Sequence, residues 1–242
     1  MPVTVHSDWP TVKIRSPGRE RYPFKVGPWS SHSLVTQLAG PGNGKRLLDV
    51  GCARGELLSR LAAKGWLGEG VEPNLIDANV AKQRGLVVHS VDFFESRQLL
   101  SPPYDLVVAA DVIEHLPDPQ AFLSMATTLL TPRGRLIISV PNVAHLAVRL
   151  PLLFGSFTYR DRGPLDRTHL RFFTVSSIKQ EVEAGGFSIA SIYFAPAPLE
   201  VLGEAAGLSV PDRVHALNAL TARLWPGGLA YQTILEASPR CQ

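Results

Sequence analysis

From Arg46 onward the chain alternates short, unbroken apolar runs with longer stretches whose apolar residues recur at helical spacing. The runs predict strands near 46–50, 68–72, 86–90, 104–110, 135–140, 188–194 and 229–237. The periodic stretches predict helices near 54–64, 75–83, 118–130 and 174–185. Leu106-Val107-Val108-Ala109-Ala110 is apolar at every position, as expected of a parallel strand covered on both faces. Thr174, followed by Ser177, starts the last of these helices and Gly185-Gly186 stops it. The alternation of strand and helix implies an α/β fold, a doubly wound seven-stranded sheet with right-handed crossovers. In such sheets ligands sit outside the carboxyl ends of the strands.

Two further helices stand outside the alternation, one from Ser30 or Ser31 to about Leu38 and one near 211–224. Residues 1–30 are polar and carry five prolines, so an extended arm is expected there. The division is an arm and helix over 1–40 and a single domain over 41–242, interrupted at 141–173 and 196–227.

Composition narrows the class. With 242 residues, 45% of them hydrophobic, the chain has the size of one domain with a substantial core. A net charge of +3 is too mild to demand nucleic acid as a partner. Cys52 and Cys241 make no disulfide framework, and Met1 to Arg21 contains no apolar leader. The longest apolar stretch, Val143 to Phe154, holds His145 and Arg149 and is too short to span a bilayer. A soluble, cytoplasmic protein is expected.

The candidate chemistry begins at Leu47-Leu48-Asp49-Val50-Gly51-Cys52-Ala53-Arg54-Gly55, a strand, a glycine turn and a helix start. Glu72 follows 23 residues after Asp49, at the end of the next apolar run. A dinucleotide fingerprint requires further glycines where this chain has Ala53 and Glu56. A carboxylate at Glu56 opposes a pyrophosphate on the helix N-terminus. A tight turn with a second acid that accepts from ribose hydroxyls suits a nucleoside carrying an amino acid, such as S-adenosylmethionine.

These residues resemble the class I S-adenosylmethionine-dependent methyltransferases, whose fold is a Rossmann-like seven-stranded sheet. Asp49 to Gly55 resembles their first motif, Val71-Glu72-Pro73 their ribose-binding strand end, and Ser90-Val91-Asp92-Phe93 their adenine-contacting turn. Tyr104 to Leu116 resembles the fourth motif. The resemblance is collinear from about 45 to 190. It implies cofactor contacts at Asp49, Gly51, Cys52, Gly55, Glu72, Pro73, Asp92, Phe93, Ala110 and Asp111, with 141–173 and 196–227 shaping an acceptor pocket. Asp92 has a second reading, as cap of the short helix that follows.

Methyl transfer to a hydroxyl requires that its proton be taken. Asp111, Glu114 and His115 form D-x-x-E-H, and His169 lies in Asp166-Arg167-Thr168-His169-Leu170-Arg171-Phe172-Phe173-Thr174. Carboxylates and imidazoles on one loop face suit a divalent ion that acidifies a diol or catechol. The pattern resembles the E-x-x-E-H of ubiquinone-biosynthesis O-methyltransferases and of small-RNA 3′-terminal 2′-O-methyltransferases, with Asp111 in place of the first glutamate. The resemblance implies catalytic roles for Glu114, His115 and His169 and a magnesium or manganese site on Asp111, Glu114, His115 and His169. His145 is read as a satisfied loop histidine. Arg160, Arg162, Arg167 and Arg171 either grip a phosphate or nucleotide-sugar or pair with Asp161 and Asp166.

The stretch 143–154 is either a core helix or a cap beside the site, broken by Pro151 and hinged at Gly155. The leading expectation is O-methylation of a small molecule, a sugar, secondary metabolite or quinone-like acceptor, without nucleic acid or a membrane span. An RNA 2′-O-methyltransferase and a non-catalytic S-adenosylmethionine-binding protein are the alternatives.

Overall fold

The structure, a computed structural model, describes residues 27–199 and 209–240. The N-terminal arm up to residue 26, part of the 196–227 insertion and Cys241 lie outside the described residues.

The described strands are β1 (Arg46–Val50), β2 (Leu67–Val71), β3 (Val87–His89), β4 (Tyr104–Ala110), β5 (Leu130–Pro141), β6 (Phe187–Ala195) and β7 (Gln232–Pro239). They form one sheet in the order β3-β2-β1-β4-β5-β7-β6. All neighbours are parallel except that β7 runs antiparallel to both β5 and β6. The helices are α1 (Ser31–Ala39), α2 (Glu56–Ala63), α3 (Leu75–Gln83), α4 (Pro119–Leu129), α5 (Leu146–Leu153), α6 (Val175–Ala184), α7 (Asp212–Leu224) and α8 (Pro226–Leu229). This is the doubly wound seven-stranded sheet that the alternation predicts.

Why the central strands are apolar throughout is visible in how they divide their side chains. Leu47, Leu106, Val108, Ile137 and Ile234 enter a core shared with α1 and α2. Their chain neighbours Leu48, Val107, Leu136, Ile138 and Leu235 enter a second core with α4 and α6. Successive strand residues point to opposite faces, so a strand covered twice has no polar side to spend. Fully burying each such leucine contributes about 1.5–3 kcal/mol.

Most element ends fall within one or two residues of the sequence expectation. Two differ more. β5 starts at Leu130, where its first residue pairs with Tyr104. β7 starts later, because Pro226–Leu229 forms the short helix α8. The 143–154 stretch is not a core helix. α5 buries only Val148 among its own residues.

The order in which strands are added reverses at β1, which lies between its parallel neighbours β2 and β4. The crevice above β1 and β4 is therefore the switch point where a ligand fits. Because β7 is antiparallel, its first residues arrive at this same edge.

Candidate active site

The turn after β1 hangs from the end of β2. The N–H groups of Gly51 and Cys52 both donate to the Val71 carbonyl, at 2.8 and 3.1 Å. Gly51 has φ 68°, and a Cβ there would lie 2.6 Å from Val112 Cγ2. Gly55 has φ 78°, and a Cβ there would lie 2.3 Å from Leu86 Cδ1. Both positions therefore need glycine for conformation and for space. Glu56 opens α2 and pairs with Arg84 at 2.7 Å.

Glu72 braces the turn. Its Oε2 accepts from Ala53 N–H at 2.9 Å and its Oε1 from Asn74 N–H at 2.8 Å. Asp49 is buried beneath, and its Oδ2 has no hydrogen-bond partner among the described residues. Burial, aided by the Glu72 charge, pushes the Asp49 carboxyl up to about 8. Burial first, then Asp49 and Glu72, pushes the Cys52 thiol up as well, so it packs as a small neutral group. Pro73 is exposed beside Glu72. Asp92 caps the 3-10 helix Phe93–Gln98 by accepting from Phe94 N–H at 2.9 Å. Phe93 turns inward, its ring 5.1 Å from that of Phe122.

Across the crevice, Ala110 ends β4 opposite Ser139. Asp111 adopts φ 57°, a left-handed conformation, and this sets the direction of its side chain. Ser139 Oγ donates to its Oδ1 at 2.8 Å, and Gln232 Nε2 lies 2.7 Å from both carboxylate oxygens. Asp111 thus faces β5 and β7. It does not join the group formed by Glu114, His115 and His169, whose ligand atoms all lie within 4.8 Å of one another.

That group is held by the loop carrying His169. The N–H groups of Leu170 and Arg171 both donate to the Glu114 carbonyl, at 2.9 and 3.0 Å. The buried Asp166 carboxylate accepts from Thr168 N–H at 2.8 Å and from its hydroxyl at 2.7 Å, which shapes the turn before His169. His115 Nδ1 lies 3.1 Å from the Thr168 carbonyl. A carbonyl only accepts, so Nδ1 carries a proton and Nε2 is the ring nitrogen left to accept or coordinate. The His115 and His169 rings meet edge-on at 4.8 Å. Burial, then the neighbouring His115, holds His169 below its ordinary range, against the opposing Asp166.

His145 behaves as a loop histidine. Its Nδ1 accepts from Ala147 N–H at 3.1 Å and so caps α5. Of the arginines, Arg167 pairs with Asp161 at 2.8 Å on the surface and Arg171 donates to the Pro117 carbonyl at 2.7 Å. Tyr231 and Gln232 are passed over by sequence reasoning. Tyr231 lies edge-on to His145 at 5.4 Å, and burial raises its phenol to about 12 against the nearby Arg160.

A family model described as a methyltransferase domain matches residues 29–192, more than half of the chain. The chain belongs to that methyltransferase family. The methyltransferase is 26% identical over 171 residues to a ubiquinone biosynthesis O-methyltransferase of Aeromonas salmonicida (strain A449), covering 67% of this chain and 72% of that one. In structure it resembles a SAM-dependent methyltransferase of Archaeoglobus fulgidus, with TM-score 0.59, 21% identity and coverage of 86% of this chain and 94% of that one. It also resembles magnesium protoporphyrin IX methyltransferase of Synechocystis PCC 6803 with bound SAH, with TM-score 0.59, 19% identity and coverage of 88% and 83%. These likenesses establish the class I fold, and the enzyme is an S-adenosylmethionine-dependent methyltransferase. Among the described residues, no helix is long and apolar enough to cross a membrane.

Proposed function

We propose that the enzyme transfers the methyl group of S-adenosylmethionine to an oxygen of a small-molecule acceptor. The observation that carries this reading is the convergence of Glu114, His115 and His169 beside the turn that holds the cofactor. Val112, which begins the segment bearing Glu114, already fills the space a side chain on Gly51 would take. The relative named for ubiquinone biosynthesis supports oxygen as the methylated atom.

On this reading Gly51, Cys52 and Gly55 form the cradle, and the buried Asp49 oxygen supplies the negative end of the cofactor site. Each Glu72 oxygen holds one backbone N–H and retains a lone pair for a ribose hydroxyl. Pro73, Asp92 and Phe93 border the adenine side, and Ala110 and Asp111 border the sulfonium side. The sulfonium is already an activated leaving group, so the protein aligns the acceptor and excludes water. The oxygen–methyl bond forms as the sulfur–methyl bond breaks, and the hydroxyl proton passes to an imidazole. His169, kept neutral by burial, and the Nε2 of His115 are the groups able to receive it.

Glu114, His115 and His169 are also a donor set for a divalent ion, which when bound supplies Lewis acidity to a coordinated hydroxyl. Two imidazoles with one carboxylate suit manganese better than magnesium, which prefers oxygen ligands. Calorimetric titration of manganese into EDTA-stripped, S-adenosylhomocysteine-saturated enzyme tests this, with Glu114→Ala as control.

The function itself is tested by incubating the enzyme and S-adenosylmethionine with a panel of catechols, vicinal diols and sugars. Mass spectrometry of the product locates the methyl group. Methylation confined to nitrogen or carbon, or full turnover by both Glu114→Ala and His169→Ala, overturns the reading.

A further inference from the structure

Every residue from Arg149 to Arg162 is exposed. Within that stretch Leu150, Leu152, Leu153, Phe154, Phe157 and Tyr159 all stand in solvent, with Leu153 77% and Phe154 87% exposed. Isolated exposed leucines are ordinary, but six large apolar side chains in ten residues are a patch. The catalytic reading leaves α5 unused, and the helix does not fill a core.

Charge selects the partner. The stretch carries Arg149, Arg160 and Arg162 against a single acid, Asp161. Asp161 is itself bridged to Arg167. Apolar side chains flanked by arginines match a surface that is apolar beneath and anionic at its boundary. Guanidinium groups pair well with phosphate oxygens, and aromatic side chains such as Tyr159 favour the headgroup depth. A second copy of the chain meeting this patch about a two-fold axis would set arginines against arginines.

The patch is also continuous with the candidate site. The Phe157 and Tyr159 rings lie 6.2 and 6.4 Å from Phe172, and the Phe172 ring lies 6.2 Å from His169. The geometry points to α5 and the residues after it as a docking surface for an anionic lipid bilayer, with the mouth of the site turned toward it. The contact is peripheral, since α5 has only eight residues.

The test is co-sedimentation of the full chain with vesicles of phosphatidylcholine alone or mixed with phosphatidylglycerol. Binding is expected only where phosphatidylglycerol is present, and it weakens at ~0.5 M salt. The L153E/F154E double variant should bind about tenfold more weakly or worse. Leu67→Glu is the control, because Leu67 is 64% exposed at the opposite end of the strands and its loss should change nothing. S-adenosylhomocysteine binding reports folding in all forms. No sedimentation with either vesicle, equal sedimentation with both, or undiminished binding by the double variant overturns the inference. So does a wild-type dimer that the double variant dissolves without any vesicle binding, which assigns the patch to a second copy.

Discussion

His169 Nε2 stands 4.0 Å from Glu114 Oε1, with both side chains almost wholly enclosed. A carboxylate and an imidazole this close in a dry setting work as one unit, so neither acts alone. Glu114→Ala and His169→Ala should each lower kcat by ~10²- to 10⁴-fold while leaving S-adenosylhomocysteine affinity unchanged. Steady-state kinetics beside calorimetry separates the two. A matched loss of cofactor binding would mean that the pair serves the fold.

The pH profile follows from the sign of the His169 shift. Its conjugate acid is destabilised by burial, so the ring stays neutral below the ordinary value of 6.5. The rate should be flat above that value and fall only at lower pH, as the ring gains a proton. Measuring kcat from about pH 5 to 9 checks this. An acid limb centred above neutrality would remove His169 from the role of proton acceptor.

Asp49 has the opposite sign. Its folded value of about 8 lies above the ordinary value of 3.8. The folded chain therefore holds a proton that the unfolded chain releases across this interval, and stability falls as pH rises through it. Asp49→Asn should stabilise the unliganded enzyme at about pH 8 by on the order of 1–3 kcal/mol, seen as a higher urea midpoint. The same change should weaken S-adenosylmethionine binding. Wild-type binding at neutral pH should release a proton, measured by calorimetry in buffers of different ionisation enthalpy. That release should vanish in the variant.

Gln232 holds Asp111 by both oxygens. Gln232→Leu keeps the volume and removes both bonds. It should cost about 1–3 kcal/mol in denaturant unfolding and raise KM for the acceptor more than it weakens S-adenosylhomocysteine binding. An unchanged KM would confine Gln232 to structural support.

The sheet was legible because its signals are local. A run such as Leu106 to Ala110 can be buried on both faces only as a central strand, and its bounds agree with β4. The glycine turn was legible for the same reason, since left-handed backbone and lack of space both demand glycine. Long-range features were hidden. Nothing near Gln232 announces that an antiparallel strand will carry it to Asp111. The D-x-x-E-H spacing suggested one ligand group, yet the Asp111 carboxylate is taken by Ser139 and Gln232 and stands outside the group of Glu114, His115 and His169. The exposure of α5 was hidden too, because an apolar stretch reads the same whether it is covered or not.

The reversed placement of β7 between β5 and β6 has a consequence for synthesis. The strands that hold the glycine turn after β1 emerge from the ribosome early and can pair as they appear. β6 must wait beside an unfilled gap until its partner is made, because β5 is not its neighbour. Tyr231 and Gln232 come with that partner. On the proposed reading, a nascent chain can therefore assemble its nucleoside half well before its acceptor half, and would acquire the means to hold its methyl donor before it acquires the means to use it.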